Sequence, residues 1–163
     1  MRAKLILDSG EEIEIELTEE QEKAIRNDSF PKMGDMYYTI GTFGRIDRFE
    51  YTNTCYDKGA ISIGNYYKTE QEAEDTVRAL KLIESIRKDR ERLNGDWIPD
   101  WTNDNQDKWD INYVESYNFV SYISRITQDT NLLGWYKSEE AALQIINKYR
   151  SELVWLFEDF LPR

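Results

Sequence analysis

One short signal occurs twice: Tyr67-Lys68-Thr69-Glu70 and Tyr136-Lys137-Ser138-Glu139. Each copy follows a Gly and an aromatic, and each opens a long amphipathic helical pattern. Upstream, Tyr38-Thr39-Ile40 is echoed by Trp109-Asp110-Ile111 at nearly the same distance from the repeated signal. Self-similarity of this kind sets the architecture before any single element does. It predicts an α+β chain: an N-terminal β-hairpin and short helix, then two tandem antiparallel β-meander-plus-long-helix units. The boundaries read as 1–30 for the hairpin and helix, 31–95 for the first unit, and 96–163 for a Trp-rich loop and the second unit.

The first strand pair follows from alternation. Ala3, Leu5 and Leu7 alternate, Asp8-Ser9-Gly10 supplies a turn, and Ile13, Ile15 and Leu17 alternate again. Thr18 and Gln21 have capping-box spacing, so a short helix is expected to about Asn27. Glu12, Glu14 and Glu16 fall on the other face of the second strand, about 6.6 Å apart, as a straight row of carboxylates. Such a row keeps an edge soluble, or it imitates a phosphate backbone.

From Met36 to Tyr67 the pattern predicts about three short strands, the third at Ala60-Ile61-Ser62-Ile63. Thr69 and Glu72 then cap a helix over 70–93. Ala73, Val77, Leu80 and Ile83 mark one apolar face, and Leu82, Ile86 and Leu93 an adjacent one. Asn94-Gly95 stops it. Its basic end, Arg87, Lys88, Arg90 and Arg92, complements the helix dipole, and interleaved Glu84, Asp89 and Glu91 make surface ion pairs the expected use of those charges. A second strand set runs from Trp109 to Ile126. Ser138 then caps a final helix whose apolar residues run from Ala142 to Phe160. Its aromatic end, around Trp155 and Phe157, suggests a contact with another lobe or a homodimer through the C-terminal helix.

The chain has 21 basic and 32 acidic residues, net −11, and no histidine. The charge disfavours nucleic acid and anionic membranes and favours basic partners, or it serves solubility alone. Without histidine there is no Ser-His or Cys-His nucleophile pair and no imidazole-ligated zinc. A single cysteine, Cys55, allows no internal disulfide and no thiolate zinc site. No cofactor, metal or catalytic residue is therefore expected. No apolar run approaches the roughly 20 residues of a membrane span, and a cytoplasmic location is expected.

Residues 96–109 are the most individual stretch, with Trp97, Trp101 and Trp109 among Asp, Asn and Pro. Asp100, Thr102 and Asp104 have the spacing of the first EF-hand ligands. Asn105 stands where Gly is required and Ile111 where the terminal Glu is required, so that match fails. Two binding surfaces remain. Glu12, Glu14 and Glu16, with Asp100, Asp104 and Asp107, are candidate contacts for a basic partner. Trp97, Trp101 and Trp109 are candidate ligand-stacking rings.

Gly64-Asn65-Tyr66-Tyr67-Lys68-Thr69-Glu70, Leu93-Asn94-Gly95, Trp97-Ile98-Pro99-Asp100-Trp101 and Asn105-Gln106-Asp107-Lys108-Trp109 resemble small acidic proteins of phages and prophages of Gram-positive bacteria. The resemblance covers about residues 36–145. It implies a phage accessory role and carries over no catalytic residue. The leading expectation is an anti-defence binding protein, of the anti-CRISPR kind, that inhibits a host protein, for example a nuclease, through a DNA-mimicking acidic surface. The alternatives are a nucleotide-sequestering protein using the Trp-rich loop and, last, a metal-dependent carboxylate enzyme.

Overall fold

A computed structural model describes residues 2–6, 12–16, 18, 30–114, 118–124 and 131–161. The architecture mixes α and β, with three two-stranded antiparallel sheets. They are β1 (Arg2–Ile6) with β2 (Glu12–Glu16), β3 (Met36–Ile40) with β4 (Ile46–Glu50), and β5 (Lys108–Val114) with β6 (Asn118–Ser124). The helices are α1 (Cys55–Ser62), α2 (Glu70–Asn94) and α3 (Glu139–Val154), the last running into a π-helical turn over Trp155–Phe160. Among the described residues no helix is long and apolar enough to cross a membrane. The helix read from Thr18 to Asn27 lies outside the described residues.

The chain divides into two compact units, Met1–Ala73 and Glu74–Arg163. α2 ends at Asn94, ahead of Gly95, and most of it belongs to the second unit.

In the first unit, β1 and β2 pair with Leu5 opposite Ile13 and Ala3 opposite Ile15. The same register sets Glu14 opposite Lys4 and Glu16 opposite Arg2. The β3–β4 hairpin is followed by a correction to the sequence reading. Residues 60–63 are not a third strand: Ala60, Ile61 and Ser62 close α1, and Ile63 is its C-cap. The cause is a capping box at Thr54-Cys55-Tyr56-Asp57, which starts a helix ahead of the β-branched residues. Asp57 Oδ2 accepts from Thr54 N at 2.7 Å, Thr54 Oγ1 at 2.8 Å and Thr52 N at 3.1 Å. Its Oδ1 accepts from the wholly buried Tyr37 hydroxyl at 2.7 Å. Phe49 lies between Tyr37 and Tyr56, with ring centroids 6.0 and 4.7 Å away.

The Tyr37 bond first, then those from Thr54 and Thr52, outweigh burial and hold the Asp57 carboxyl at about 2. A depressed carboxyl contributes stability above its unfolded value, ordinarily 3.8, and that contribution is lost as pH falls through the folded value. Acid titration followed by near-UV circular dichroism should show the first unit loosening between about pH 4 and about pH 2. Asp57→Asn should remove that pH dependence.

In the second unit, Ala79, Leu82 and Ile86 of α2 are buried with Ile111, Phe119, Leu133, Tyr136 and the α3 residues Ala141, Ala142, Ile145, Ile146 and Leu153. The core-facing stripe of α2 is therefore 79–82–86–93. The face read through Leu80 is not fully covered, since Leu80 is 57% exposed. Polar clamps join α2 to α3. Arg78 donates to Glu152 at 2.9 Å and lies 3.8 Å over the Trp155 ring. Asp89 accepts from Lys148 and, at 2.8 Å, from the Tyr149 hydroxyl. The aromatic C-terminal end packs within this unit, with Phe157 stacked on Tyr113 at 5.7 Å.

The repeated signal has the same local use in both places. Tyr67 bridges Tyr38 beside β3, and Tyr136 bridges Trp109 of β5. Thr69 Oγ1 accepts from Glu72 N and Ser138 Oγ from Ala141 N, each at 3.2 Å, at the starts of α2 and α3. Thr69→Ala and Ser138→Ala should each cost about 1 kcal/mol in denaturant titration.

Candidate functional site: the Trp-rich loop and its cleft

The loop is built from its two ends. At the α2 end, Gly95 takes a left-handed φ of 59° and stops the helix. Asn94, nearly buried, donates to Trp135 O at 2.8 Å and accepts from Lys137 N at 3.0 Å. This ties the helix end to the segment that carries the second repeat. At the β5 end stands Lys108, with no exposed surface. Its ammonium donates to Asn103 O at 3.0 Å and Gln106 O at 2.9 Å and lies 5.2 Å from the Trp101 ring centroid.

Between these ends the loop bonds to itself. Asp100 Oδ1 accepts from Thr102 N at 2.9 Å and Thr102 Oγ1 at 2.7 Å. The Thr102 bonds, side chain first, lower the Asp100 carboxyl below its ordinary value. Gln106 accepts from Asp100 N at 2.6 Å and donates to Ile98 O at 3.1 Å. Asn103 Oδ1 accepts from Asn105 N at 3.0 Å. These bonds shape the segment that resembles an EF-hand start. Among the described residues no group of three or more acidic or thiol side chains could hold a metal ion.

Outside this frame Asp96, Asp100 and Asp104 are exposed, while Asp107 is half-buried. The candidate carboxylates thus separate into exposed Asp100 and Asp104 and a more covered Asp107, with Asp96 as an addition. On the hairpin, the cross-strand register places Arg2 and Lys4 opposite Glu16 and Glu14.

The three tryptophans do not form one stacking site. Trp109 packs against the hydrophobic core. Trp101 meets Trp135 edge-on, with centroids 5.0 Å apart. Trp97 instead lines, with Trp135, Arg90, Glu91, Pro99 and Gly134, a cleft of about 320 Å³. Trp135 and Arg90 went unread as a pair because they lie far apart in sequence. Gly134 is the signal that links them: its φ is 75°, and a Cβ there would sit 1.6 Å from Arg90 Nη1. Glycine lets the guanidinium lie against the backbone, where Nη1 donates to Leu133 O at 2.8 Å.

The basic end of α2 is otherwise neutralised. Arg87 pairs with Glu84 and Glu91, Lys88 with Glu84, and Arg92 with Asp89. The Arg87 hydrogen bond, first among its causes, holds the Glu84 carboxyl at about 2. Among the described residues Arg90 has no carboxylate partner and bonds a carbonyl instead.

No protein-family model matches the chain, and no curated protein or solved structure matches it.

Proposed function

We propose that this chain is a non-enzymatic binding protein that engages a basic surface of another protein through the carboxylates of its Trp-rich loop. The observation that carries the reading is Lys108: a fully buried ammonium committed to two loop carbonyls, Asn103 O and Gln106 O. Burying a charge is costly unless it is fully hydrogen-bonded. Here it holds in one shape a loop that turns Asp96, Asp100 and Asp104 outward. Preorganised anions lose little entropy on binding, and they compete for the same Lys and Arg that would neutralise phosphates.

The resemblance to phage accessory proteins extends this reading. It makes the partner a bacterial host protein with a basic channel, such as a nuclease, the setting a host cytoplasm, and the role inhibition. The paired bridges and paired caps support a second, architectural proposal. The chain would be two tandem strand–strand–helix units, with α1 inserted only in the first.

The test is capture from a Gram-positive bacterial lysate, followed by titration of the purified partner. Asp96, Asp100 and Asp104, changed together to Asn, should weaken binding about tenfold or more. Asn at 100 retains the acceptor for Thr102, so thermal stability should barely move. Affinity should also fall with added salt. A partner whose binding ignores both salt and the triple change would exclude the acidic reading.

The Arg90 cleft favours a second function, sequestration of a nucleotide between Trp97 and Trp135. It requires indole fluorescence to be quenched by AMP in the wild type and not in Arg90→Gln. The α2 C-terminus beside the cleft opposes an anion, which is why this reading ranks second.

A further inference from the structure

The cleft at the α2 end of the Trp-rich loop lies wholly within the second unit. Trp97, Ile98, Pro99 and Trp135 give it apolar and aromatic walls. Its hydrogen-bonding groups are unevenly used. Among the described residues neither the Trp97 nor the Trp135 indole N–H has a partner, and Arg90 makes only the bond from Nη1 to Leu133 O. The acceptors, by contrast, are occupied. Asn94 Oδ1 accepts from Lys137 N, Trp135 O from Asn94 Nδ2, and Ile98 O from Gln106 Nε2, while Glu91 pairs with Arg87. A ligand that fits this imbalance brings carbonyl oxygens and few N–H groups, because a donor covered without a partner is costly.

Charge narrows the choice further. α2 ends at Asn94 on the cleft, and the negative end of its dipole opposes an anion there. The Arg90 guanidinium opposes a cation. The part of the ligand that enters is therefore neutral. Asp96 and Asp100, both exposed, flank the wall residues 97–99 in sequence and favour a positive charge at the rim. Proline satisfies the inner terms together. Its tertiary amide presents a carbonyl and no N–H. Its ring packs on aromatic faces, and a run of prolines is already held in an extended helix that loses little entropy on docking.

We propose that this cleft receives a proline-rich segment of the partner protein, with an adjoining Lys or Arg held by Asp96 and Asp100. The inference rests on the reading that the acidic loop binds a basic protein surface, and it names the segment which that surface presents. Trp97, Trp135 and Arg90 donate to the proline carbonyls, and the indole rings pack against the pyrrolidine rings. The neutral part of the contact is insensitive to salt, and the rim contact is not.

The experiment uses fluorescein-labelled decaproline, the same peptide with two arginines added, and an alternating Gly-Ser decapeptide as control. Binding to the whole chain is read by fluorescence anisotropy. Decaproline should bind saturably up to about 1 mM, and the Gly-Ser peptide should not. Trp97→Ala should weaken decaproline about tenfold or more. Where that variant loses its fold, Trp97→Phe carries the test. Trp135→Phe keeps a ring and loses the N–H donor, so it should weaken binding about three- to tenfold. The two arginines should tighten binding about three- to tenfold at low salt, and Asp96→Asn with Asp100→Asn should remove that gain alone. No decaproline binding, equal binding of the Gly-Ser peptide, or binding unmoved by the Trp97 and Trp135 changes overturns the proposal. So does displacement of decaproline by AMP, which would give the cleft to a nucleotide. Binding of the arginine-bearing peptide that needs Asp96 and Asp100 but not Trp97 sinks the cleft and leaves the acidic reading standing. Decaproline binding with no gain from the arginines does the reverse.

Discussion

Lys108→Met should destabilise the second unit by about 2–3 kcal/mol and release the Trp-rich loop. Hydrogen bonds to a charged group contribute about 1.5–3 kcal/mol each, and Lys108 donates to both Asn103 O and Gln106 O; the cost of burying the ammonium offsets part of that sum. Methionine fills the same apolar shaft, so the loss isolates the ammonium. Denaturant unfolding would give the free energy. Hydrogen exchange at Asn103, Asn105 and Gln106 would report the loop, because Asn105 N and Gln106 N are bonded only within it. Partner binding should weaken further than the triple Asp change predicts, because the carboxylates lose their common frame. Unchanged exchange at these amides would show that Asp100 and Gln106 hold the loop without the lysine.

Tyr136→Ala should cost about 3–5 kcal/mol, in the range for deleting a buried aromatic ring. The ring has no exposed surface, and burial raises its hydroxyl pKa well above the ordinary 10. Tyr67→Ala at the equivalent point of the first repeat should cost only about 1–2 kcal/mol, because that ring is half-exposed. Both tyrosines make the same backbone bridge, Tyr67 to Tyr38 and Tyr136 to Trp109. A similar loss at both positions, read by chemical denaturation, would mean that the bridge and not the ring supplies the stability.

The elements were legible where local chemistry is self-sufficient. The N-terminal hairpin, β3, β5, α2 and α3 follow from alternation, helical spacing and caps at Thr69 and Ser138, all of which depend on near neighbours. The misread element, α1, has its own near-neighbour signal at Thr54 and Asp57. The alternation of Ile61 and Ile63 masked it, although Gly64 with positive φ is as consistent with a helix end as with a strand turn. The stripe of α2 was ambiguous for a different reason. A helix with apolar residues on two adjacent faces does not say which face will meet a partner element, and Leu80 could not be told from Leu82 until β5, β6 and α3 were in place.

The candidate site divides the same way. That residues 96–107 form a polar loop with exposed carboxylates follows from composition. That Trp109 belongs to the core, Trp101 to an edge contact with Trp135, and Trp97 to a cleft with Arg90 does not. By itself the amino-acid sequence determined the charge, the absence of histidine chemistry, the doubled cap signal and most helices and strands, because these rest on residue identity and short spacing. Only the tertiary structure decided that Lys108 is buried beneath the loop, that Arg90 rests on Gly134, and that Phe43 stands clear of the surface in a strained turn. Burial, long-range hydrogen bonds and left-handed backbone all arise from segments distant in sequence meeting in space, and no local pattern encodes that meeting.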